Sequence, residues 1–157
     1  ENAMKFVDLV KPEAVKLLAS TSSKKRLMHD IAELADQAYG IGASAAVEAL
    51  VERESLGPTG VGNGVALPHA RLPGLDRVVG AFLLLEKPVD FEAIDRQPVD
   101  IVFALFAPED AGVAHLKALA LVSRSLRDNG LCAKLRANRD AAKLYTILTE
   151  SEAVKAA

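Results

Sequence analysis

The residues best suited to chemistry lie in a glycine-rich segment that ends in a histidine. Four glycines fall within residues 57–64, and a short apolar run then leads through Pro68 to His69. Glycine permits positive φ and close backbone approach, so such a loop can turn amide N–H groups inward as an anion-binding nest. A neutral imidazole offers a lone pair that can attack phosphorus. The combination points to a phosphoryl group, although glycine loops also serve as plain connectors.

Two familiar phosphate motifs do not fit this segment. A Walker loop requires a lysine after its second glycine, whereas Asn63 follows Gly62. A dinucleotide fingerprint starting at Gly60 would need a glycine where Val65 stands, with a helix beginning there. Residues 65–68 are instead predicted to be extended, because a proline biases the preceding residue toward the β region. The sequence therefore predicts neither a nucleotide nor any other cofactor.

The elements that position this segment follow from hydrophobic spacing. Apolar residues at helical intervals predict a helix over residues 24–39, with Ser22 or Ser23 as the N-cap and Gly40 as the stop. Ser44 is predicted to cap a second helix that ends near residues 57–58 and carries Arg53 in its last turn.

The rest of the chain predicts central strands followed by helices. Residues 78–85 and 101–107 read as strands covered on both faces, whereas residues 15–19 suit an edge strand or a helix equally. A helix from Gly112 is predicted to end at Asn129 and Gly130, and another covers residues 140–148. This order favours an α/β (α+β) fold, a three-layer α/β/α sandwich with a mixed central sheet flanked by helices on both faces.

Composition and charge argue against several classes of protein. The 157 residues carry a formal charge of −2, which argues against nucleic-acid binding, and the apolar runs are too short to cross a bilayer. A lone Cys132 excludes a disulfide framework and, with no secretory signal evident, favours the cytoplasm. We expect one domain over residues 5–151, and residues 1–3, which precede a methionine, are interpreted as left from cloning.

A family resemblance adds to this picture. The segment Thr59-Gly-Val-Gly-Asn-Gly-Val-Ala-Leu-Pro-His69, with Arg53-Glu54 upstream, is similar to the phosphorylation-site signature of the fructose and mannitol class (type 2) of enzyme IIA domains of the bacterial phosphotransferase system. Residues 91–100, 103–108 and 115–119 resemble the nitrogen-regulatory branch in particular. The resemblance spans residues 6–151.

The resemblance implies a phosphotransferase component that forms a phosphohistidine at His69, without a metal. It implies that Arg53 and His115 support the phosphoryl group and that a histidine-containing phosphocarrier protein donates it. Nitrogen or potassium metabolism would then be regulated through contacts with targets such as potassium transporters or sensor kinases. The predicted phosphoryl-binding loop consists of Thr59, Gly60, Gly62, Asn63 and Gly64.

Each residue also has a simpler interpretation. Arg53 could pair with Glu52 or Glu54 on the surface or serve as a charge at a helix C-terminus, and His115 could be a solvated residue near a helix start. Thr59 and Asn63 could simply stabilise the turn. His29 is predicted to have a surface role, and Cys132 to be a core or surface thiol.

Three other functions compete with the regulatory one. A sugar-transport domain would pass phosphate from His69 to a separate IIB component for fructose or mannitol uptake. A non-catalytic docking module would use phosphorylation only to switch its surface. A metal hydrolase built on His29, His69 and His115 is disfavoured, since these histidines lack the close spacing of ligand pairs.

Overall fold

Six strands form one mixed sheet at the centre of the molecule. In the computed structural model, which describes residues 3–156 and the side chains of residues 3–150, the strands are β1 (Val15–Leu18), β2 (Gly60–Gly62), β3 (Val65–Ala66), β4 (His69–Leu72), β5 (Val79–Val89) and β6 (Val99–Pro108). Strand β1 runs parallel to β5, β5 antiparallel to β6, and β2 antiparallel to β3. Strands β3 and β4 both lie parallel to β6, one after the other along its length.

Helices cover both faces of this sheet. They are α1 (Phe6–Leu9), α2 (Lys24–Tyr39), α3 (Ala43–Ser55), α4 (Gly112–Leu126), α5 (Asn129–Arg136) and α6 (Ala141–Ala156), with a 3-10 turn at Pro12–Ala14. Helices α2 and α3 pack on each other and on β5 and β4, whereas α6 packs on β1 and α5, and α4 packs on β6. The predicted three-layer α/β/α sandwich with a mixed central sheet is confirmed.

The two long strands are the centre of the core. All residues from 79 to 85 and from 101 to 108 are buried. Because successive strand residues point to opposite faces, unbroken burial requires cover on both sides. Phe103 lies on β6 with its ring centroid 5.4 Å from that of Phe6 and 6.2 Å from that of Phe82. The strands predicted at residues 78–85 and 101–107 are therefore confirmed.

The helices before the site begin and end for identifiable reasons. Helix α2 matches its predicted range: Ser23 Oγ accepts from the Arg26 N–H, and Gly40 ends the helix with a φ of 67°. Helix α3 begins at Ala43 rather than after Ser44, so the predicted cap is wrong. The Gly42 N–H donates to the Asp36 carboxylate, which fixes the tight connection between the helices, and Gly42 is the N-cap two residues before the predicted one.

The predicted end of the long helix at Asn129 and Gly130 is wrong. Helix α4 ends at Leu126, and these two residues form the first turn of α5, which was not predicted. The Asp128 carboxylate caps α5 by accepting from the Gly130 and Leu131 N–H groups. Burial of α5 residues against the rest of the core then outweighs the turn preference of asparagine and glycine.

The remaining predicted segments are the first strand, the last helix and the first residues of the chain. Residues 15–18 form the edge strand β1 rather than a helix, and α6 begins at Ala141, close to the predicted start. Of the residues interpreted as left from cloning, Glu1 and Asn2 lie outside the described part of the chain. Within residues 3–156, no helix is both long enough and apolar enough to cross a membrane.

Candidate functional site

Three predicted site residues converge from three elements on one open groove. His69 begins β4, Arg53 lies in the last turn of α3, and His115 lies in the second turn of α4. The groove has a volume of about 560 Å³, and Leu56, Leu116 and Arg71 are also among the residues that line it. Arg53 lies 16 positions before His69 and His115 lies 46 positions after it. The three residues thus meet only because the sheet and helices pack as they do.

One ring nitrogen of His69 is free of a proton. Its Nδ1 lies 2.9 Å from the Leu67 carbonyl oxygen, which can only accept, so Nδ1 carries the hydrogen. Its Nε2 accepts from Arg53 Nε, at 3.3 Å. Pro68 has no N–H to donate, and the Leu67 N–H donates to the Thr59 carbonyl, but the Pro68 carbonyl accepts from the Leu105 N–H, so the chain stays joined to β6 directly before the histidine. The lone pair of Nε2 therefore faces the groove and the guanidinium.

Both histidines of the groove favour the neutral form. Burial lowers the pKa of His69 below its usual 6.5, and the Arg53 charge lowers it further, against the opposing effects of the Leu67 hydrogen bond and Glu54. Burial also lowers the pKa of His115, with contributions from His69 and Arg71. At neutral pH the site therefore presents a nucleophilic imidazole beside a permanent cation.

His115 is buried rather than solvated, so the simpler interpretation of this residue is wrong. Only 5% of its surface is exposed, and its ring centroid lies 5.7 Å from that of His69 in an edge-on arrangement. Its Nε2 is buried and has no hydrogen-bond partner among the described residues. Because a buried polar atom without a partner is costly, this nitrogen beside the His69 ring is a candidate to contact a ligand.

Arg53 does not form the surface ion pair considered as its simpler interpretation. No ion pair between the described residues involves Arg53, and Glu54 pairs with Lys24 instead, at 2.9 Å. The guanidinium makes two directed bonds: Nη1 donates to the Gly57 carbonyl at 2.9 Å, and Nε donates to His69. It is therefore aimed into the groove at Nε2 of His69.

The glycine-rich segment folds as a β-hairpin rather than as an open nest. Asn63 and Gly64 connect β2 to β3 with φ values of 58° and 79°, as a two-residue turn of the primed type requires. The Asn63 N–H donates to Asp95, and the Asn63 carbonyl accepts from Arg136 Nη2. An Asn-Gly pair between extended segments is a strong hairpin signal, and Asn63-Gly64 could have predicted this turn from the sequence.

The hairpin tip lies away from His69. The Gly64 carbonyl accepts from the N–H groups of Asp100 and Ile101, whereas His69 pairs with Leu105, four residues further along β6. At about 3.3 Å per residue this separation is roughly 13 Å. The structure brings Gly62, Asn63 and Gly64 to Asp95 and Arg136 rather than to the His69 ring.

The other loop residues lie nearer the site but are already engaged. Thr59 is buried, and its hydroxyl donates to Glu54 rather than to the backbone. Gly60 opens β2, where a Cβ would meet that of Ala93 at 2.7 Å, so packing explains this glycine. Glu54 accepts both hydrogen bonds from Thr59, a role that the sequence did not predict.

The remaining candidates take no part in the groove. His29 lies on α2, and no group of three or more His, Cys, Asp or Glu side chains among the described residues could hold a metal ion. Cys132 is a buried thiol whose Sγ donates to the Leu126 carbonyl, and burial raises its pKa. It is therefore a core residue.

With this geometry established, comparison with known proteins gives the family. The family model for the phosphoenolpyruvate-dependent sugar phosphotransferase system, EIIA 2, matches residues 8–151. A nitrogen regulatory protein of Bradyrhizobium diazoefficiens is 48% identical over 92% of this chain and 95% of its own length. The fructose-specific EIIA component of Haloferax volcanii is 34% identical over 68% of this chain and 69% of its own length.

A solved structure shows the same relationship. The crystal structure of the nitrogen regulatory protein IIA-Ntr from Neisseria meningitidis superposes with a TM-score of 0.83 at 32% identity, covering 90% of this chain and 97% of that one. The chain belongs to the EIIA type 2 family of the phosphotransferase system. Within that family it resembles the nitrogen regulatory proteins, as predicted.

Proposed function

We propose that this protein takes up a phosphoryl group on Nε2 of His69 from a histidine-containing phosphocarrier protein and acts as a regulator. The observation that carries the proposal is the lone pair of Nε2, which faces an open groove with Arg53 Nε at 3.3 Å. A nucleophile held in one tautomer beside a fixed cation suits attack on an anionic phosphoryl group.

In the proposed step, Nε2 attacks phosphorus in line as the bond from phosphorus to the donor's ring nitrogen breaks. The donor ring, which carries a proton on its other nitrogen, keeps that electron pair and becomes neutral imidazole, while the His69 ring keeps its Nδ1 proton and forms the new bond from Nε2 to phosphorus. Charge spreads over three equatorial oxygens during transfer, and the planar Arg53 guanidinium supplies N–H donors to them. The buried Nε2 of His115 gains a partner if it donates to one of these oxygens. The protein thus contributes position and charge stabilisation rather than further covalent chemistry.

The rim of the groove supports docking of a protein donor rather than a small molecule. Leu56 is 80% exposed and Leu116 is 65% exposed, and both line the groove. Val113, one turn before Leu116 on α4, is 68% exposed. Large exposed apolar side chains around a reactive group are typical of interaction surfaces.

The proposed output is regulation by protein contact. The relatives named nitrogen regulatory proteins cover nearly the whole chain, which favours nitrogen metabolism over sugar uptake. Phosphorylation adds nearly two negative charges beside the apolar rim and would change which targets, such as potassium transporters or sensor kinases, can dock. A docking module that phosphorylation only switches would bind different targets in the wild type, His69→Ala and His69→Asp, and identical targets for all three would count against it.

Sugar transport is the second candidate, favoured by the similarity to a fructose-specific EIIA component. Its chemistry at His69 would be the same, and only the acceptor differs. Incubation of the phosphorylated protein with fructose or mannitol IIB components decides between the two. Transfer to a IIB cysteine at a rate comparable with its own phosphorylation would favour transport.

The test of the main proposal is intact mass after incubation with phosphoenolpyruvate, enzyme I and the phosphocarrier protein. We expect the wild type to gain one acid-labile phosphoryl group and His69→Ala to gain none. A His29→Ala variant is the matched control and should behave as the wild type. Lack of transfer from every cognate donor, or transfer that persists in His69→Ala, would overturn the proposal.

A further inference from the structure

The side chain of Glu54 is a buried carboxylate with three donors. It follows Arg53 directly in α3, and only 8% of the side chain is exposed. It accepts from the Thr59 N–H at 2.9 Å and the Thr59 hydroxyl at 2.5 Å, and it pairs with Lys24 Nζ at 2.9 Å. A buried charge persists only when it is paired and hydrogen-bonded, so this set of contacts is a fixed point of the structure.

These contacts close the turn that follows α3. Glu54 and Thr59 are the two ends of the turn, and the Gly57 N–H donates to the Glu54 carbonyl within it. The Gly57 carbonyl, held by that closed turn, accepts from Arg53 Nη1 at 2.9 Å. With Nη1 held by the Gly57 carbonyl, the Nε of Arg53 points at His69 Nε2.

Lys24 fixes the far side of the carboxylate. Its Nζ also lies 3.5 Å from the exposed carboxylate of Glu92 and 4.7 Å from the ring centroid of Phe91. The ammonium is thereby held between α2 and the loop after β5. A continuous set of polar contacts therefore runs from Lys24 through Glu54 and the turn to the guanidinium.

We propose that Glu54 is a positioning residue that keeps the turn over residues 54–59 closed and so aims the Arg53 guanidinium at the phosphoryl acceptor. This inference rests on the proposed function of His69. No described hydrogen bond joins Glu54 to His69, so Glu54 acts through Arg53. An arginine fixed in advance loses less side-chain freedom when it binds the phosphoryl oxygens.

The direct test is Glu54→Gln, with Glu48→Gln as the matched control. Glutamine keeps the size of the side chain but loses the charge and one acceptor oxygen, and Glu48 lies exposed on the same helix. In single-turnover phosphorylation by the phosphocarrier protein, we expect Glu54→Gln to be slower by roughly 10- to 100-fold. The control should keep the wild-type rate.

The pKa of His69, followed by NMR on the unphosphorylated protein, separates positioning from a purely electrostatic role. The charge of Glu54 raises this pKa, and the charge of Arg53 lowers it by more. If Glu54 acts only through its own charge, Glu54→Gln lowers the pKa. If Glu54→Gln also releases Arg53, the larger effect is lost and the pKa rises. His115 and Arg71, which also face this pair, are the same in every variant.

A double-mutant cycle with Arg53→Gln completes the test. If Glu54 acts through Arg53, Glu54→Gln slows transfer by less than about twofold once Arg53 is absent. Thr59→Val should lower the rate and Thr59→Ser should restore it, which keeps the test open if Glu54→Gln fails to fold.

Three outcomes would overturn the inference. They are an unchanged rate in Glu54→Gln or Thr59→Val, additive effects of Glu54→Gln and Arg53→Gln, and a fall in the pKa of His69 in Glu54→Gln. Failure of the wild type to accept phosphate would instead count against the proposed function, and the pKa result would still decide the positioning role.

Discussion

Replacing His115 by leucine should stabilise the fold while impairing phosphoryl transfer. The ring is 5% exposed, and its Nε2 is buried without a partner among the described residues. Leaving such a group unsatisfied costs about 1–3 kcal/mol. Leucine is also a better helix former than histidine by a few tenths of a kcal/mol, whereas the change of shape costs up to about 1.5 kcal/mol. We expect a net gain of about 1 kcal/mol in the free energy of unfolding at pH 7.5.

The gain should grow as the solution becomes more acidic. Burial lowers the pKa of His115, so the unfolded chain binds a proton at this residue more readily than the native protein does. Stability therefore falls as pH drops below the unfolded value of about 6.5 and stops falling below the native pKa. Leucine removes this loss. The pKa of His69 is lowered too, but this contribution has the same sign in both proteins and largely cancels.

Urea unfolding of wild type and His115→Leu at pH 7.5 and pH 5.5 measures both effects. His29→Leu makes the same exchange at a partly exposed position on α2 and should change the free energy of unfolding by no more than about 0.5 kcal/mol. The reasoning is refuted if His115→Leu destabilises the protein at pH 7.5 or if its advantage shrinks at pH 5.5. Phosphorylation of His115→Leu at the wild-type rate would show that the unpartnered nitrogen does not serve the phosphoryl group.

Two further predictions concern the hairpin and the nucleophile. Gly64→Ala places a Cβ at a φ of 79° and 2.6 Å from Arg136 Nη2, so it should lower the free energy of unfolding by at least about 1–2 kcal/mol in urea titrations. Phosphorylation should remain at the wild-type rate, and a large loss of rate would instead support the predicted phosphoryl-binding role of the loop. The rate of phosphorylation should fall on acidification with a midpoint below pH 6.5, because the neutral form of His69 reacts and burial lowers its pKa. A decline already centred above pH 6.5 in stopped-flow measurements would contradict the assigned protonation state.

Several elements could be predicted from the local chemistry of neighbouring residues. Ser23 and Gly40 bound α2 where their side-chain and backbone preferences place a cap and a stop, and the apolar strands β5 and β6 are recognisable without tertiary information. The Pro68-His69 pair also acts locally, since Pro68 has no N–H and biases Leu67 toward the extended conformation that leads to the histidine. These features depend on residues within a few positions of one another.

Features that depend on distant partners were predicted less well. Helix α5 begins with Asn129 and Gly130, which favour turns, and forms because its apolar residues are buried against the core. The glycines of the β2–β3 hairpin suggested an anion nest. In the structure they pack closely against Ala93, Asp95 and Arg136 on other segments. Composition alone cannot distinguish glycines that bind a ligand from glycines that allow close packing.

The sequence by itself determined which groups are available: an imidazole after a proline, a permanent cation at the end of a helix, and a fold with a buried mixed sheet. The tertiary structure decided how they act. Pairing of β4 with β6 and packing of α3 and α4 beside it bring Arg53 and His115 to His69, and the Leu67 carbonyl selects the tautomer. Distances across the fold, burial and the direction of a lone pair arise only when segments remote in sequence are packed together.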